Sequence, residues 1–153
     1  MGPVHTTTQV DGPTEAAFEF GVNPERVAEW FAMVVEVKDV SGPLDTVGAG
    51  YTAVMKIAGR KLDARWEVAR VEKPRLLELK GATPGGGTAT FTMQYAQVAD
   101  GTEITVDCEY ELPGGFVGGV ADKLFAERAV EREFKHSMEN FKAIVEAEVP
   151  VQA

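Results

Sequence analysis

Residues 114–149 read GGFVGGVADKLFAERAVEREFKHSMENFKAIVEAEV, and this stretch decides how the rest of the chain is understood. After its glycines, neither Gly nor Pro occurs from Val120 until Pro150, and helix formers (Ala, Glu, Lys, Arg, Leu, Met) dominate. The pattern predicts one helix over about 115–149, roughly 45–50 Å long at the α-helical rise. Its apolar residues Phe116, Val120, Leu124, Phe134, Met138, Phe141 and Val145 fall within about half a turn of each other. Between Leu124 and Phe134 the stripe should continue, but Glu127 and Glu131 stand there instead. Like charges four apart on a helix repel by about 0.2–0.5 kcal/mol, so local stability does not explain the pair. Either both carboxylates are solvated, or Arg128, Arg132 and Lys135 compensate them, or this section of the helix faces a wet cavity. Buried acids are rare without partners, which makes solvation the simpler reading.

Upstream of the helix the period is two. Val4 to Val10 reads as a strand, and Pro13 precedes a short helix through Phe20. Asn23 can cap a second short helix with Pro24 at its first position, running through Trp30 and Phe31. Six further strands follow. The clearest alternates Leu62, Ala64, Trp66 and Val68 with Lys61, Asp63, Arg65 and Glu67, which predicts one buried face. Asp100-Gly101 signals a hairpin, and the last strand turns Ile104, Val106, Cys108, Tyr110 and Leu112 inward. A meander of this kind is antiparallel with one apolar face, and only one element is long enough to cover it. A single helix cannot fill the concave side of a seven-stranded curled sheet, so large side chains or a cavity must occupy the remainder.

Composition narrows the function. At 153 residues, one domain spanning 1–153 is expected, with 44% hydrophobic and 25% charged residues, ordinary for a chain that buries a core. A net charge of −9 argues against nucleic acid and against an anionic membrane surface. There is one cysteine, Cys108, so no internal disulfide forms. No basic-then-apolar leader and no run of eighteen apolar residues is present, so neither export nor membrane insertion is indicated and a cytoplasmic location is expected. The two histidines, His5 and His136, stand near no second ligand at metal spacing, so no metal and no cofactor are expected. The Gly-rich stretches lack the Lys-Ser/Thr of a phosphate loop and read as turns. No feature assigns an oligomeric state.

Four stretches carry a family resemblance: Asn23 to Phe31 (NPERVAEWF), Gly48 to Thr52 (GAGYT), Trp66 to Pro74 (WEVARVEKP), and Tyr110 to Gly115 (YELPGG). With the element order, they make the chain resemble the START-like or SRPBCC superfamily, the helix-grip proteins that include the birch-pollen allergen and bacterial polyketide cyclase/dehydrase-like proteins. The resemblance implies an α+β helix-grip fold: a seven-stranded curled antiparallel sheet wrapped around a long C-terminal helix, with two short helices after strand 1. It also implies a hydrophobic or polycyclic ligand, polyketide- or lipid-like, between sheet and helix. Members of the superfamily carry lipids or hormones, sequester toxic natural products, or cyclise polyketides.

The candidate ligand wall is Tyr51, Met55, Trp66, Phe91, Met93, Tyr95 and Tyr110 from the sheet, faced by Val120, Leu124 and Phe125 from the helix. Trp30 and Phe31 are candidates for the cavity mouth. Aromatic and Met residues at strand spacing serve as core and as pocket lining alike in such a fold. Glu127 and Glu131 would add carboxylates, and are the only candidates for acid–base catalysis. Cys108 continues an inward row and reads as a small core hydrophobe. Three functions therefore stand: carriage or sequestration of a hydrophobic molecule, a cyclase or aromatase using cavity Glu and Tyr residues, and a protein-interaction module. The missing acid/base constellation favours the first.

Overall fold

A computed structural model describes residues 4–114 and 120–148, with the side chains of the last helix described from Lys123. β1 (Val4–Val10) leads to α1 (Thr14–Gly21), a 3-10 turn (Pro24–Arg26) and α2 (Val27–Trp30). Then come β2 (Val34–Lys38), β3 (Gly50–Ile57), β4 (Arg60–Glu72), β5 (Leu76–Ala82), β6 (Thr88–Val98) and β7 (Gly101–Glu111), and finally α3 (Val120–Glu148). The seven strands form one sheet in the order β1-β7-β6-β5-β4-β3-β2. Every neighbouring pair is antiparallel. This is the expected α+β helix-grip arrangement, with β1 and β2 at the edges.

Local chemistry accounts for the elbow after β1. The Asn23 side chain accepts a hydrogen bond from Glu25 N at 3.1 Å, and Pro24 begins the turn with a φ that a helix wants. The 13-residue β4 carries a register shift between Val68 and Arg70, and β2–β3 carries one at Val34/Glu36. Such bulges raise the local twist and let a long sheet curl around one helix.

The second half of α3 sits in the resulting trough. Phe134, Met138, Phe141 and Val145 are buried, as the apolar stripe predicts. Phe141 packs edge-on to Phe20 (4.9 Å between ring centres) and to Trp30 (5.0 Å). Polar anchors join the same half to the chain. Ala32 N donates to Ser137 Oγ (2.8 Å), Asn140 Nδ2 to Trp30 O (3.2 Å), and Lys142 Nζ to Gln9 O (2.8 Å).

The first half corrects the expected pattern. Its buried residues are Ala126, Ala129 and Val130, whereas Leu124 and Phe125 are 48% and 60% exposed and Glu131 is exposed. Glu127 is half-buried. The burial follows a row in steps of four, Ala126–Val130–Phe134–Met138, and such a row inclines to the helix axis. A stripe drawn parallel to the axis therefore wrongly expects Leu124, Glu127 and Glu131, rather than Ala126, Ala129 and Val130, to be the residues this half buries. The row is not interrupted by acids; it continues in smaller residues. The expected contributions of Phe116 and Val120, and Pro150 as the stop, fall outside the described side chains.

Candidate functional site

The space between sheet and helix is divided. The larger part is a cavity of about 60 Å3 walled by β3, β4, β5, β6, β7 and α3. Met55, Leu62, Ala64 and Trp66 form one side, Cys108 and Tyr110 the other, with Val130 and Phe134 from α3 above. Thr83, Thr88, Glu111 and Pro113 line it where the β5–β6 turn approaches the end of β7. A smaller void of about 10 Å3 lies deeper, among Trp30, Tyr51, Leu77, Phe91 and Met93. Phe31 and Trp66 line both and stand as the partition between them.

Aromatic packing holds this partition. Phe31 stacks on Trp30 (5.3 Å), meets Phe134 edge-on (5.4 Å) and lies 5.7 Å from Phe91. Trp66 meets Phe91 at 6.4 Å. Its indole lies over Gly81, its cross-strand partner: a Cβ there would come within 2.8 Å of the ring carbons. Gly81 is thus the residue that lets Trp66 lie down across the sheet and close one side of the cavity.

The candidate residues separate into groups. Phe31, Met55, Trp66 and Tyr110 come together at the larger cavity. Trp30, Tyr51, Phe91 and Met93 surround the inner void, so Trp30 is an interior residue, 3% exposed, and not part of a mouth. Tyr95 reaches neither space. Its hydroxyl donates to Met93 Sδ at 3.5 Å, its ring packs on Phe18, and it fills the position a Cβ on Gly21 would need. Leu124 and Phe125 lie on the outside of α3, and Glu131 lines an outer groove against β1. The side chain of Val120 is outside the described residues. Among the cavity residues not named as ligand candidates, Ile57, Leu62, Ala64 and Ala89 lie on the inward-alternating face of their strands. Val130 needed the four-step row.

Electrostatics mark Tyr110 as the polar handle of the cavity. Burial pushes its phenol up to about 12, with the negative charges of Glu127 and Glu131 adding to the shift. It therefore stays neutral at physiological pH and can donate a hydrogen bond. Burial, with Glu109, likewise pushes the Cys108 thiol up to about 12, leaving it protonated and inert. Burial raises Tyr51 and Tyr95 as well. Among the described residues, no three His, Cys, Asp or Glu side chains come together as a metal would require. No described helix is long and apolar enough to cross a membrane.

A trough-shaped sheet closed by one long helix over an apolar cavity defines a helix-grip protein. The family comparison agrees: residues 1–146 match the family described as polyketide cyclase/dehydrase and lipid transport, and the chain belongs to that family. Comparison with curated proteins gave no match. Among solved structures the chain is similar to TTHA0849 from Thermus thermophilus, with a TM-score of 0.78 at 16% identity over 95% of this chain and 98% of that one. It is also similar to Ara h 8.0201, with a TM-score of 0.68 at 10% identity over 96% and 99% of the two chains. DynU16, from the dynemicin biosynthetic locus, gives a TM-score of 0.67 at 20% identity over 97% of this chain. The chain spans 48% of DynU16's length. At these identities the likeness is one of fold.

Proposed function

We propose that this protein binds a hydrophobic, flat small molecule, polyketide- or lipid-like, in the cavity beneath the first half of α3, for carriage or sequestration. One observation carries the reading: the apolar space opens under Val130 and Phe134, where the buried row of α3 passes from the small Ala126 and Ala129 to the dense aromatic packing that follows. Tyr110 supplies a neutral donor that would orient a carbonyl or hydroxyl in an otherwise apolar site.

At about 60 Å3 the cavity is well below the roughly 300–1,000 Å3 of pockets that enclose drug-sized ligands. Binding therefore requires a wall to move. The first half of α3 is the wall with least to lose, because withdrawing Ala126, Ala129 and Val130 uncovers little apolar area. Withdrawing Phe134 and Phe141 would break the aromatic cluster. Family membership supports ligand binding in general, and the apolar, aromatic lining favours hydrophobic molecules.

Native mass spectrometry of freshly purified protein, followed by thermal shifts with neutral fused-ring aromatics and fatty acids, tests the proposal. A co-purified apolar molecule, or a rise in melting temperature with quenching of Trp66, is expected. No mass shift and no stabilisation across a varied hydrophobic library would overturn it. The catalytic alternative keeps only Glu127 beside Tyr110, since Glu131 lines the outer groove. A Glu127→Gln variant that binds ligand normally but loses turnover would favour that alternative.

A further inference from the structure

We propose that the outer groove between α3 and the free edge of β1 is an oxyanion site, suited to a phosphate group either free or on an ester. It lies on the opposite side of α3 from the cavity and does not rest on the ligand reading above.

α3 runs alongside β1, the edge strand of the sheet. Arg128, Arg132, Lys135, Lys142 and Glu146 fall on one face of the helix at its 3.6-residue period. In the second half of α3 this face is joined to the strand. Lys142 Nζ donates to Gln9 O at 2.8 Å, Asp11 N donates to Glu146 Oε2 at 2.8 Å, and Lys142 meets Glu146 at 2.7 Å. Alternation along the strand turns the main-chain groups of Thr7 and His5 to the same edge as those of Gln9.

Two turns earlier the same face has nothing to hold. A groove of about 260 Å3 opens there, lined by Val4, His5, Thr6, Arg128, Glu131, Arg132 and Lys135. Arg128, Arg132 and Lys135 have no hydrogen bond or ion pair among the described residues. Thr6 Oγ1 is buried and also lacks a partner among them. A buried hydroxyl without a partner calls for an explanation. So do three unpaired cations within two turns, in a chain of 24 acids against 15 bases. An oxyanion answers both: the two guanidinium forks and the ammonium neutralise it, and a turn of the Thr6 side chain about its Cα–Cβ bond would bring the hydroxyl to it as a donor. Two acids oppose the ligand. Glu131 lines the groove, and Asp107 is hydrogen-bonded to His5 Nδ1 at 2.6 Å. A dianion facing two arginines and a lysine is attracted more strongly than a monoanion, which favours phosphate over carboxylate.

The test titrates the 15N-labelled full chain with inorganic phosphate and pyrophosphate near neutral pH at constant ionic strength, with chloride as reference. Saturable shifts are expected at the amides of His5 and Thr6 and at the Arg128 and Arg132 side chains. The double variant Arg128→Gln/Arg132→Gln should weaken binding at least about tenfold, the loss expected for removed charge-assisted contacts. Glu131→Gln should tighten it. Lys61→Gln/Lys80→Gln makes the same charge change on exposed strand positions and should leave affinity within about twofold. Absence of saturable shifts up to tens of millimolar, or equal weakening by both double variants, would overturn the proposal. Co-sedimentation with phosphatidic acid vesicles, lost in Arg128→Gln/Arg132→Gln, would assign the phosphate to a lipid headgroup. Pyrophosphate binding without co-sedimentation would assign it to a soluble ester.

Discussion

The two halves of α3 rest on different interiors. From Phe134 to Val145 the helix presses large side chains into an aromatic cluster and is tied to α2 and β1 by hydrogen bonds. From Leu124 to Val130 it buries only Ala126, Ala129 and Val130, with Val130 reaching the cavity, while the larger Leu124 and Phe125 are exposed. One continuous helix thus serves as a core element at one end and as a thin cover at the other. The fold can keep its stability in the first role while leaving the second free for a ligand.

That division predicts unequal costs of truncation. Phe141→Ala removes a fully buried ring that touches Phe20 and Trp30, and should cost about 3–5 kcal/mol in urea unfolding. Val130→Ala, beside existing empty space, should cost about 1–2 kcal/mol. Equal losses would mean that the halves are packed alike. Gly81→Ala comes next: its Cβ would press on the Trp66 ring at 2.8 Å, at about 1–3 kcal/mol and with a changed Trp emission. An unchanged spectrum and stability would detach Trp66 from the closed side of the cavity.

The phenols compare the two ends at smaller cost. All three tyrosines are raised by burial, so the folded protein holds these protons more tightly than the unfolded chain does. Stability contributed this way is fully present below the unfolded value near pH 10 and is lost as pH rises through the folded values. Tyr110, half-buried at the cavity, should titrate first, near 12, with Tyr51 and Tyr95 ionising only on unfolding. Phenolate absorbance of the native protein at pH 11 should therefore be far below that of the chain in urea. Equal absorbance would contradict the closed interior.

Much of the fold was legible because alternation along β4, β6 and β7 is regular, and because glycines and prolines mark the turns. The antiparallel order and the two short helices follow from those signals. Periodicity alone also located Met55, Trp66 and Tyr110 on the cavity side. It failed where geometry between elements decides. The inclination of α3 to the sheet selects Ala126 and Val130 over Glu127 and Glu131, and no residue in the helix announces that angle. Nor does a strand pattern separate Tyr95, locked against Phe18 and Met93, from Trp66, which borders empty space.

The most direct test of the central claim is ligand binding by a chain whose cavity has been filled. Val130→Phe places a ring in the space beside Phe134 and lies away from Met138, Phe141 and Val145 of the dense half. Calorimetric titration of both proteins with a neutral fused-ring aromatic, such as an anthraquinone, reads the result. Saturable binding to the native chain is expected, with at least about a tenfold loss in Val130→Phe and the melting temperature of the free variant changed by only a few degrees. Equal affinity in the two proteins would place the ligand elsewhere and contradict the account.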